Sequence, residues 1–215
     1  MTKHKDTDQL AHWAGQEGSA YVERNPHSMA EYEALYAKDY GVSRQAMNEA
    51  CLGELPRDLS VLEVGANVGV QLEFLRTMGF SHLVGIDINA DAVREAGKLH
   101  PKVEVKQGSG FDLQFEDNSF DMVYTSGVLI HVAPTDALDV MREMHRTSRS
   151  YIWGFEYYAP SYEEVTYRGQ SDRLWKTDFA KMFADNFPDL TLVYEKKYPM
   201  PDGNVSQMYL LKKKS

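Results

Sequence analysis

The sequence predicts an α/β fold that is built around a mostly parallel sheet. From about residue 60, short apolar segments alternate with segments of helical periodicity, as in repeated strand–helix–strand units. The first 59 residues differ, because they contain helical patterns and no convincing strand. Near the end, Asp202-Gly203 is a hairpin signal between two strand-like segments. We therefore expect an N-terminal helical cap over residues 1–59 and an α/β domain over residues 60–215.

Capping signals and periodicity predict the individual elements. Ser28-Met29-Ala30-Glu31 is a capping box that opens a helix to about Lys38, and a second helix runs from Ser43 to about Leu52. Strands are predicted at 61–64, 82–86, 103–106, 120–124 and 151–155, with helices at 71–78, 89–99 and 134–146. An irregular, aromatic insert at about 157–176 is expected to cover the substrate. The last elements are a helix at 177–186 and strands at 190–197 and 206–211.

Composition limits the classes of partner. The chain has 215 residues, and 23 basic against 32 acidic side chains give a formal net charge of −9. This charge disfavours nucleic acid and anionic membranes as partners. The single cysteine, Cys51, excludes an internal disulfide, and no His/Cys spacing is typical of a metal site. Neither a signal peptide nor a membrane span is evident, so we expect a cytoplasmic protein that binds no metal.

The turn after the first predicted strand contains two glycines and an acid. The dinucleotide fingerprint G-x-G-x-x-G, started at Gly65, requires glycine where Asn67 and Val70 stand, so it fails twice. The pattern acid-x-Gly-x-x-x-Gly is instead satisfied by Glu63, Gly65 and Gly69. A carboxylate beside the turn repels a pyrophosphate, whereas it accepts hydrogen bonds from an ammonium group.

This turn resembles the first motif of class I S-adenosylmethionine (SAM)-dependent methyltransferases, Glu/Asp-x-Gly-x-Gly-x-Gly, with Asn67 at the middle glycine. Two further stretches resemble the same family: Gly85–Asn89, in which Asp87 follows Gly65 by 22 positions, and Val123–His131 after the fourth strand. The resemblance implies SAM as cofactor. It also implies a Rossmann-like sheet of seven strands in the order 3-2-1-4-5-7-6, with the last strand antiparallel.

The resemblance implies a set of cofactor residues. Asp87 would accept both ribose hydroxyls, although a carboxylate there also suits a helix N-cap, for which Asn89 is the better candidate. Ile88 would pack on the adenine, Tyr21 near the sulfonium, and Arg24 against a carboxylate of SAM or substrate. The remaining candidates line the turn, the adenine edge and the methionine part: Glu63, Gly65, Asn67, Gly69, Ser109, Gly110, Phe111, Ser126 and Gly127.

A narrower resemblance involves the flanks of the chain. Trp13-Ala14-Gly15, Gly18, Tyr21 and Arg24-Asn25-Pro26, with Glu156-Tyr157-Tyr158 and 167–174, resemble bacterial methylases associated with pseudaminic acid biosynthesis. This resemblance implies a small polar or acidic substrate, such as a nonulosonic acid or a sugar nucleotide. The candidate substrate residues are Tyr157, Tyr158, Tyr167, Arg168 and Arg173. Packing under a loop and surface ion pairs are the alternative roles for these side chains.

His131 is the candidate catalytic base. An imidazole with an ordinary pKa near 6.5 accepts a proton from a hydroxyl or ammonium nucleophile at neutral pH. The alternative is a structural histidine that orients its loop. We therefore predict methyl transfer to an O or N atom, with a SAM-binding sensor or partner subunit as the alternative function. The sequence leaves the acceptor atom and the oligomeric state open.

Overall fold

The computed structural model describes residues 7–214, which form two compact units divided between Gln114 and Phe115. The helices predicted as a separate cap fall in the first unit together with the first strands, and the boundary at residue 59 stays a prediction. Within residues 7–214, no helix has the length and apolarity of a membrane span.

The first unit consists of four helices followed by parallel strands and their connecting helices. The capping box of Ser28 and Glu31 is present, as the sequence predicts. Strands β1, β2 and β3 pair in parallel. The elements are α1 (Asp8–Ala14), α2 (Gln16–Arg24), α3 (Met29–Tyr40), α4 (Arg44–Leu52), β1 (Ser60–Val64), α5 (Val70–Thr77), β2 (His82–Asp87), α6 (Ala90–Leu99) and β3 (Glu104–Gln107).

The second unit contains two parallel strands followed by an antiparallel hairpin. β4 pairs with β5 in parallel, and β9 pairs antiparallel with both β5 and β8. The elements are β4 (Phe120–Ser126), a 3₁₀ turn (Leu129–His131), α7 (Ala137–Thr147), β5 (Ser148–Tyr157), β6 (Glu163–Glu164), β7 (Trp175–Lys176), α8 (Phe179–Asn186), β8 (Leu190–Pro199) and β9 (Val205–Lys213).

The strand order of the main sheet is β3-β2-β1-β4-β5-β9-β8. It equals the predicted order 3-2-1-4-5-7-6, because β8 and β9 are the sixth and seventh long strands. Strands β6 and β7 form a separate two-stranded sheet that the sequence analysis does not predict. Trp175 and Lys176, which the sequence places in the irregular insert, form β7, and the helix expected from about residue 177 begins after its N-cap Asp178.

Candidate functional site

Three residues of the turn after β1 adopt the left-handed backbone conformation. The φ angles of Gly65, Asn67 and Gly69 are 77°, 49° and 83°. Glycine adopts this conformation without strain, and asparagine does so more readily than other side-chain-bearing residues. The N–H groups of Gly65 and Ala66 both donate to the carbonyl oxygen of Ile86, at 2.8 Å each. The turn is therefore held against the end of β2.

Asp87 ends β2 beside this turn. Its Oδ2 accepts a hydrogen bond from the N–H of Asn67 at 2.7 Å, and its Oδ1 accepts one from the N–H of Asn89 at 2.8 Å. Burial raises the pKa of the Asp87 carboxyl, and the two N–H donors oppose this shift. Each carboxylate oxygen has a second lone pair, so the group fits the two hydroxyls of a ribose.

Asn89, rather than Asp87, is the N-cap of α6. The Oδ1 of Asn89 accepts hydrogen bonds from the N–H groups of Asp91 and Ala92, at 2.9 and 3.1 Å. The N-cap alternative for Asp87 is therefore wrong, and its carboxylate remains directed at the turn.

The loop after β3 lies beside Asp87. The N–H of Gly108 donates to the Asp87 carbonyl oxygen at 2.9 Å. The Oγ of Ser109 accepts from the N–H of Phe111 at 3.2 Å, which shapes the loop through Gly110. Ile88 and the loop residues 108–111 are half-buried. The first unit thus places the candidate ribose and adenine residues next to one another.

A buried polar cluster lies near Glu63. Glu63 is 2% exposed, and Arg44 is fully buried. The Arg44 guanidinium donates to Gln71 Oε1 at 2.8 Å and to the Tyr36 hydroxyl at 2.9 Å. Burial raises the pKa of Tyr32, with Glu63 adding to the shift and Arg44 opposing it, so these groups share one neighbourhood. Arg44 is not predictable from the sequence, because nothing in the pattern of α4 distinguishes a buried arginine from an exposed one.

The two candidates on α2 differ in exposure. Tyr21 is half-buried, and its ring stands edge-on to Trp13 with centroids 5.3 Å apart. Arg24 lies exposed in the last turn of the helix. Its guanidinium is therefore open to an anionic group in solution.

In the second unit, the segment after β4 is anchored by a buried carboxylate. Ser126 ends β4, and Gly127 has a φ of 69°, with its N–H donating to the Phe155 carbonyl oxygen at 2.8 Å. Glu156 is 1% exposed. Its carboxylate accepts from the N–H groups of Val128 and Ile130 at 3.2 and 3.5 Å.

Burial raises the pKa of Glu156 to about 7, and the neighbouring N–H groups together with the nearby Thr125 side chain oppose that shift. In the sequence, Glu156 stands out only as part of the flanking resemblance, and this anchoring role is not predicted. The available signal is an acid that follows the apolar segment 152–155 of a buried strand.

His131 ends the 3₁₀ turn and contacts the insert at about 157–176. Its Nδ1 lies 2.8 Å from the Arg173 carbonyl oxygen. Because a carbonyl only accepts, this contact assigns the proton to Nδ1 and the lone pair of the neutral ring to Nε2. The Tyr167 ring stands edge-on to the imidazole, with centroids 5.3 Å apart. Arg173 thus contacts His131 through its backbone, whereas Arg168 is exposed on a turn with φ 51°.

Tyr157 and Tyr158 lie where β5 meets β9. Tyr157 pairs with Ser206, and the N–H of Tyr158 donates to the Val205 carbonyl oxygen at 2.8 Å. The Nζ of Lys197 lies 3.9 Å from the centroid of the Tyr158 ring. This cation–π contact adds a basic group to the predicted substrate residues, and the sequence analysis misses it.

Comparisons with known proteins agree with this architecture. Residues 62–151 match the model of a methyltransferase domain. An uncharacterized protein of Haemophilus influenzae is 32% identical over 83 residues, which are 36% of this chain and 33% of that protein. Sterol 24-C-methyltransferase ERG6B of Gibberella zeae is 28% identical over 118 residues, 52% of this chain and 28% of that enzyme. The chain therefore spans about a third of the length of these curated relatives.

Solved structures share the fold at low identity. The PH0226 protein of Pyrococcus horikoshii has a TM-score of 0.69 and 19% identity, with 91% of this chain and 99% of that chain covered. The 1,6-didemethyltoxoflavin-N1-methyltransferase of Burkholderia thailandensis, solved with 1,6-didemethyltoxoflavin and S-adenosylhomocysteine, has a TM-score of 0.63, 17% identity and coverages of 80% and 76%. The [4+2]-cyclase SpnF has a TM-score of 0.63, 12% identity and coverages of 80% and 81%.

The chain therefore has the fold of class I SAM-dependent methyltransferases. The cofactor of this domain is S-adenosylmethionine, in agreement with the failed dinucleotide spacing at Asn67 and Val70.

Proposed function

We propose that the chain transfers a methyl group from SAM to an O or N atom of a small polar metabolite. The observation that carries this proposal is the contact between His131 Nδ1 and the Arg173 carbonyl oxygen, which directs the basic lone pair to Nε2. A base of this kind serves an acceptor that must lose a proton, such as a hydroxyl or an ammonium group.

The proposed mechanism divides the work between cofactor and protein. Bound SAM supplies a methyl group that its sulfonium already makes electrophilic. Asp87 would accept hydrogen bonds from the ribose hydroxyls, residues 109–111 would hold the adenine edge, and Ser126 and Gly127 would hold the methionine part. His131 Nε2 takes the proton of the acceptor. Alignment and exclusion of water are the main contributions of the protein, and proximity alone is worth about 7–11 kcal/mol in well-oriented reactions.

The substrate class rests on the basic and aromatic residues of the insert and of the late strands. Tyr157, Tyr158 and Tyr167 offer polar aromatic surfaces, and Lys197 lies over the Tyr158 ring. Exposed Arg24 and Arg168 suit an acidic group. A nonulosonic acid or a sugar nucleotide, the class implied by the flanking resemblance, has this chemistry. The N1-methyl transfer named for the Burkholderia neighbour also concerns a small-molecule acceptor.

Asp87→Ala tests the cofactor assignment by calorimetric titration with S-adenosylhomocysteine. Loss of two hydrogen bonds to a charged acceptor should weaken binding about 100-fold. Asp121→Ala is the matched control, because Asp121 stands at the start of β4 and pairs with Arg149 at 2.6 Å. Equal affinity of Asp87→Ala and the unaltered protein would remove Asp87 from the ribose site.

A SAM-binding protein without transferase activity is the second candidate, and the cyclase SpnF favours it because the same fold carries another chemistry there. Incubation with methyl-labelled SAM and small metabolites from a cell extract separates the two. A transferase yields labelled product in proportion to enzyme, and a sensor yields none.

A further inference from the structure

Asn89 makes hydrogen bonds in three directions. Its N–H donates to Asp87 Oδ1 at 2.8 Å, and its Oδ1 caps α6. Its Nδ2 donates to the carbonyl oxygens of Trp13 and Gly15 at 3.1 and 3.3 Å, and it lies 3.4 Å from the Ser19 hydroxyl. Asn89, which is 4% exposed, thus links the end of α1 and the start of α2 to Asp87, the candidate ribose residue.

Two further contacts hold α2 in the same place. The Ser19 hydroxyl donates to Asp91 Oδ2 at 2.6 Å, and this bond lowers the pKa of Asp91. A Cβ at Gly18 would lie 2.7 Å from the Asn89 Nδ2 and would clash with the Trp13 carbonyl oxygen. Only glycine therefore permits the close approach of α2 to Asn89.

The apolar face of α2 packs on the same substructure. Val22 belongs to a buried cluster with Val68, Val70, Phe74 and Ala92, which come from the turn after β1, from α5 and from α6. The position of Tyr21, one residue earlier, is therefore fixed relative to the glycine turn and to Asp87. The hydrogen bonds of Asn89 and Ser19 and the apolar packing of Val22 therefore hold α2 in the same position.

We propose that Asn89 is a positioning residue that couples the α1–α2 segment to the nucleoside site, so that docking of residues 8–24 and cofactor binding strengthen each other. The inference rests on the proposed function, because it places the nucleoside at Asp87. Coupling of this kind is reciprocal: if the docked helices raise cofactor affinity, the cofactor must stabilise the docked helices by the same factor.

Asn89→Ser isolates this role. Serine is as good an N-cap as asparagine, so α6 keeps its cap, but its hydroxyl is too short to reach Trp13 and Gly15. We expect affinity for S-adenosylhomocysteine to fall about tenfold, within the usual range of coupling between sites. Amide hydrogen exchange in residues 8–24 should become faster in the free protein, and the ligand should slow it less than in the unaltered chain.

Two other variants make the result specific. Ser19→Ala removes a contact from the helical side and leaves Asn89 and Asp87 intact, so it should produce smaller changes of the same sign in both measurements. If Asn89→Ser does not fold, Ser19→Ala provides the test of coupling in its place. Asn186→Ser removes a similar side-chain amide contact, from exposed Asn186 to the Met182 carbonyl oxygen at 2.8 Å in α8, and should change neither measurement.

The outcomes separate the inference from the proposed function. Failure of the unaltered protein to bind S-adenosylhomocysteine overturns the proposed function. Normal affinity of Asn89→Ser despite faster exchange in residues 8–24 shows that docking is not coupled to binding and overturns the inference. Weaker binding of Asn89→Ser with unchanged exchange also overturns it, because Asn89 then acts on Asp87 alone.

Discussion

In the proposed chemistry, His131 Nδ1 contacts the Arg173 backbone and Nε2 is the base, so the contact and the base are separable by mutation. In His131→Asn, the shorter amide keeps a donor near the position of Nδ1, 2.8 Å from the Arg173 carbonyl oxygen, but has no basic nitrogen. We expect methyl transfer to fall about 100- to 10,000-fold, the usual contribution of a general base. Affinity for S-adenosylhomocysteine should stay within about twofold, since Asn keeps the turn in place.

His131→Ala completes this comparison, because it removes both the base and the donor to Arg173. Product formation from methyl-labelled SAM and calorimetric affinity are the two measurements for both variants. Retained turnover in His131→Asn with lost turnover in His131→Ala would show that the histidine only orients its loop.

Glu156 predicts a pH dependence of stability. Burial raises the pKa of its carboxyl from 4.5 to about 7, while the unfolded chain keeps the ordinary value. Between these values the folded protein holds a proton that the unfolded chain has released, so the free energy of unfolding falls as pH rises and levels off above pH 7. The groups that face this carboxyl are the Thr125 hydroxyl, the N–H groups of 128–130 and the buried Tyr209 phenol.

Glu156→Gln removes this titration. Relative to the unaltered protein, the variant should gain about 2 kcal/mol in free energy of unfolding between pH 5.5 and pH 8, measured by urea denaturation. Glu95→Gln is the control. The hydrogen bond from the Lys98 ammonium lowers the pKa of Glu95, so Glu95 is ionised in both states throughout this interval and its replacement should add no pH dependence. A flat difference for Glu156→Gln would contradict the raised pKa.

At the scale of single residues, the sequence predicts backbone conformation better than it predicts the burial of side chains. The left-handed conformation of Asn67 follows from its place in the glycine pattern, and the cap at Asn89 follows from its position before a helix. The burial of Arg44 and Glu156 is not encoded locally, because it depends on which elements pack over those positions. Contacts made by backbone, such as the Arg173 carbonyl oxygen on His131, carry no residue signature at all.

At the scale of elements, replacing a glycine by alanine should have opposite effects on the free energy of unfolding at the N-terminus of α5 and within α6. Gly69 caps α5 with a φ of 83°, and a Cβ there would lie 3.3 Å from Val103. Gly69→Ala should lower the free energy of unfolding by about 1–2 kcal/mol, the cost of a left-handed alanine.

Gly97 lies within helix α6, and a Cβ there meets nothing within 4 Å. Gly97→Ala should raise the free energy of unfolding by about 0.5–1 kcal/mol.

Urea denaturation measures both, with unchanged slopes as the check that the unfolding reaction is the same. Stabilisation by Gly69→Ala would mean that the turn does not need the left-handed conformation.

Elements with strong local signals are predicted well, and short elements are not. Ser28 caps its helix as predicted, and the helix expected from Ser43 begins directly after Ser43, its N-cap. These signals are local, because the side chain and the N–H that it accepts from are close in sequence. The two residues of β6 and the two of β7 have no periodicity to detect, since a strand of this length shows less than one full alternation.

At the scale of the whole molecule, the sheet order is predictable because the resemblance covers the strands that define it. The sequence alone leaves open how the N-terminal helices associate, since their contacts to Asn89 and to Val68 join residues far apart in the chain. The net charge of −9 does not exclude a small acidic ligand, because exposed Arg24 and Arg168 each supply positive charge at the surface.

Thermal stability of the full chain tests the cofactor class directly. S-adenosylhomocysteine at 100 times its Kd should stabilise the folded state by about 2.7 kcal/mol, because it binds only that state. For a chain of 215 residues, this free energy corresponds to a rise in Tm of about 5–10 °C. NAD⁺ at the same concentration should leave Tm unchanged, since Asn67 and Val70 stand where a dinucleotide turn requires glycine. Asp87→Ala, with its affinity about 100-fold weaker, should reduce the stabilisation by the same S-adenosylhomocysteine concentration to about 0.4 kcal/mol, a rise in Tm of about 1 °C. A larger rise with NAD⁺ would instead assign the glycine turn to a nicotinamide cofactor.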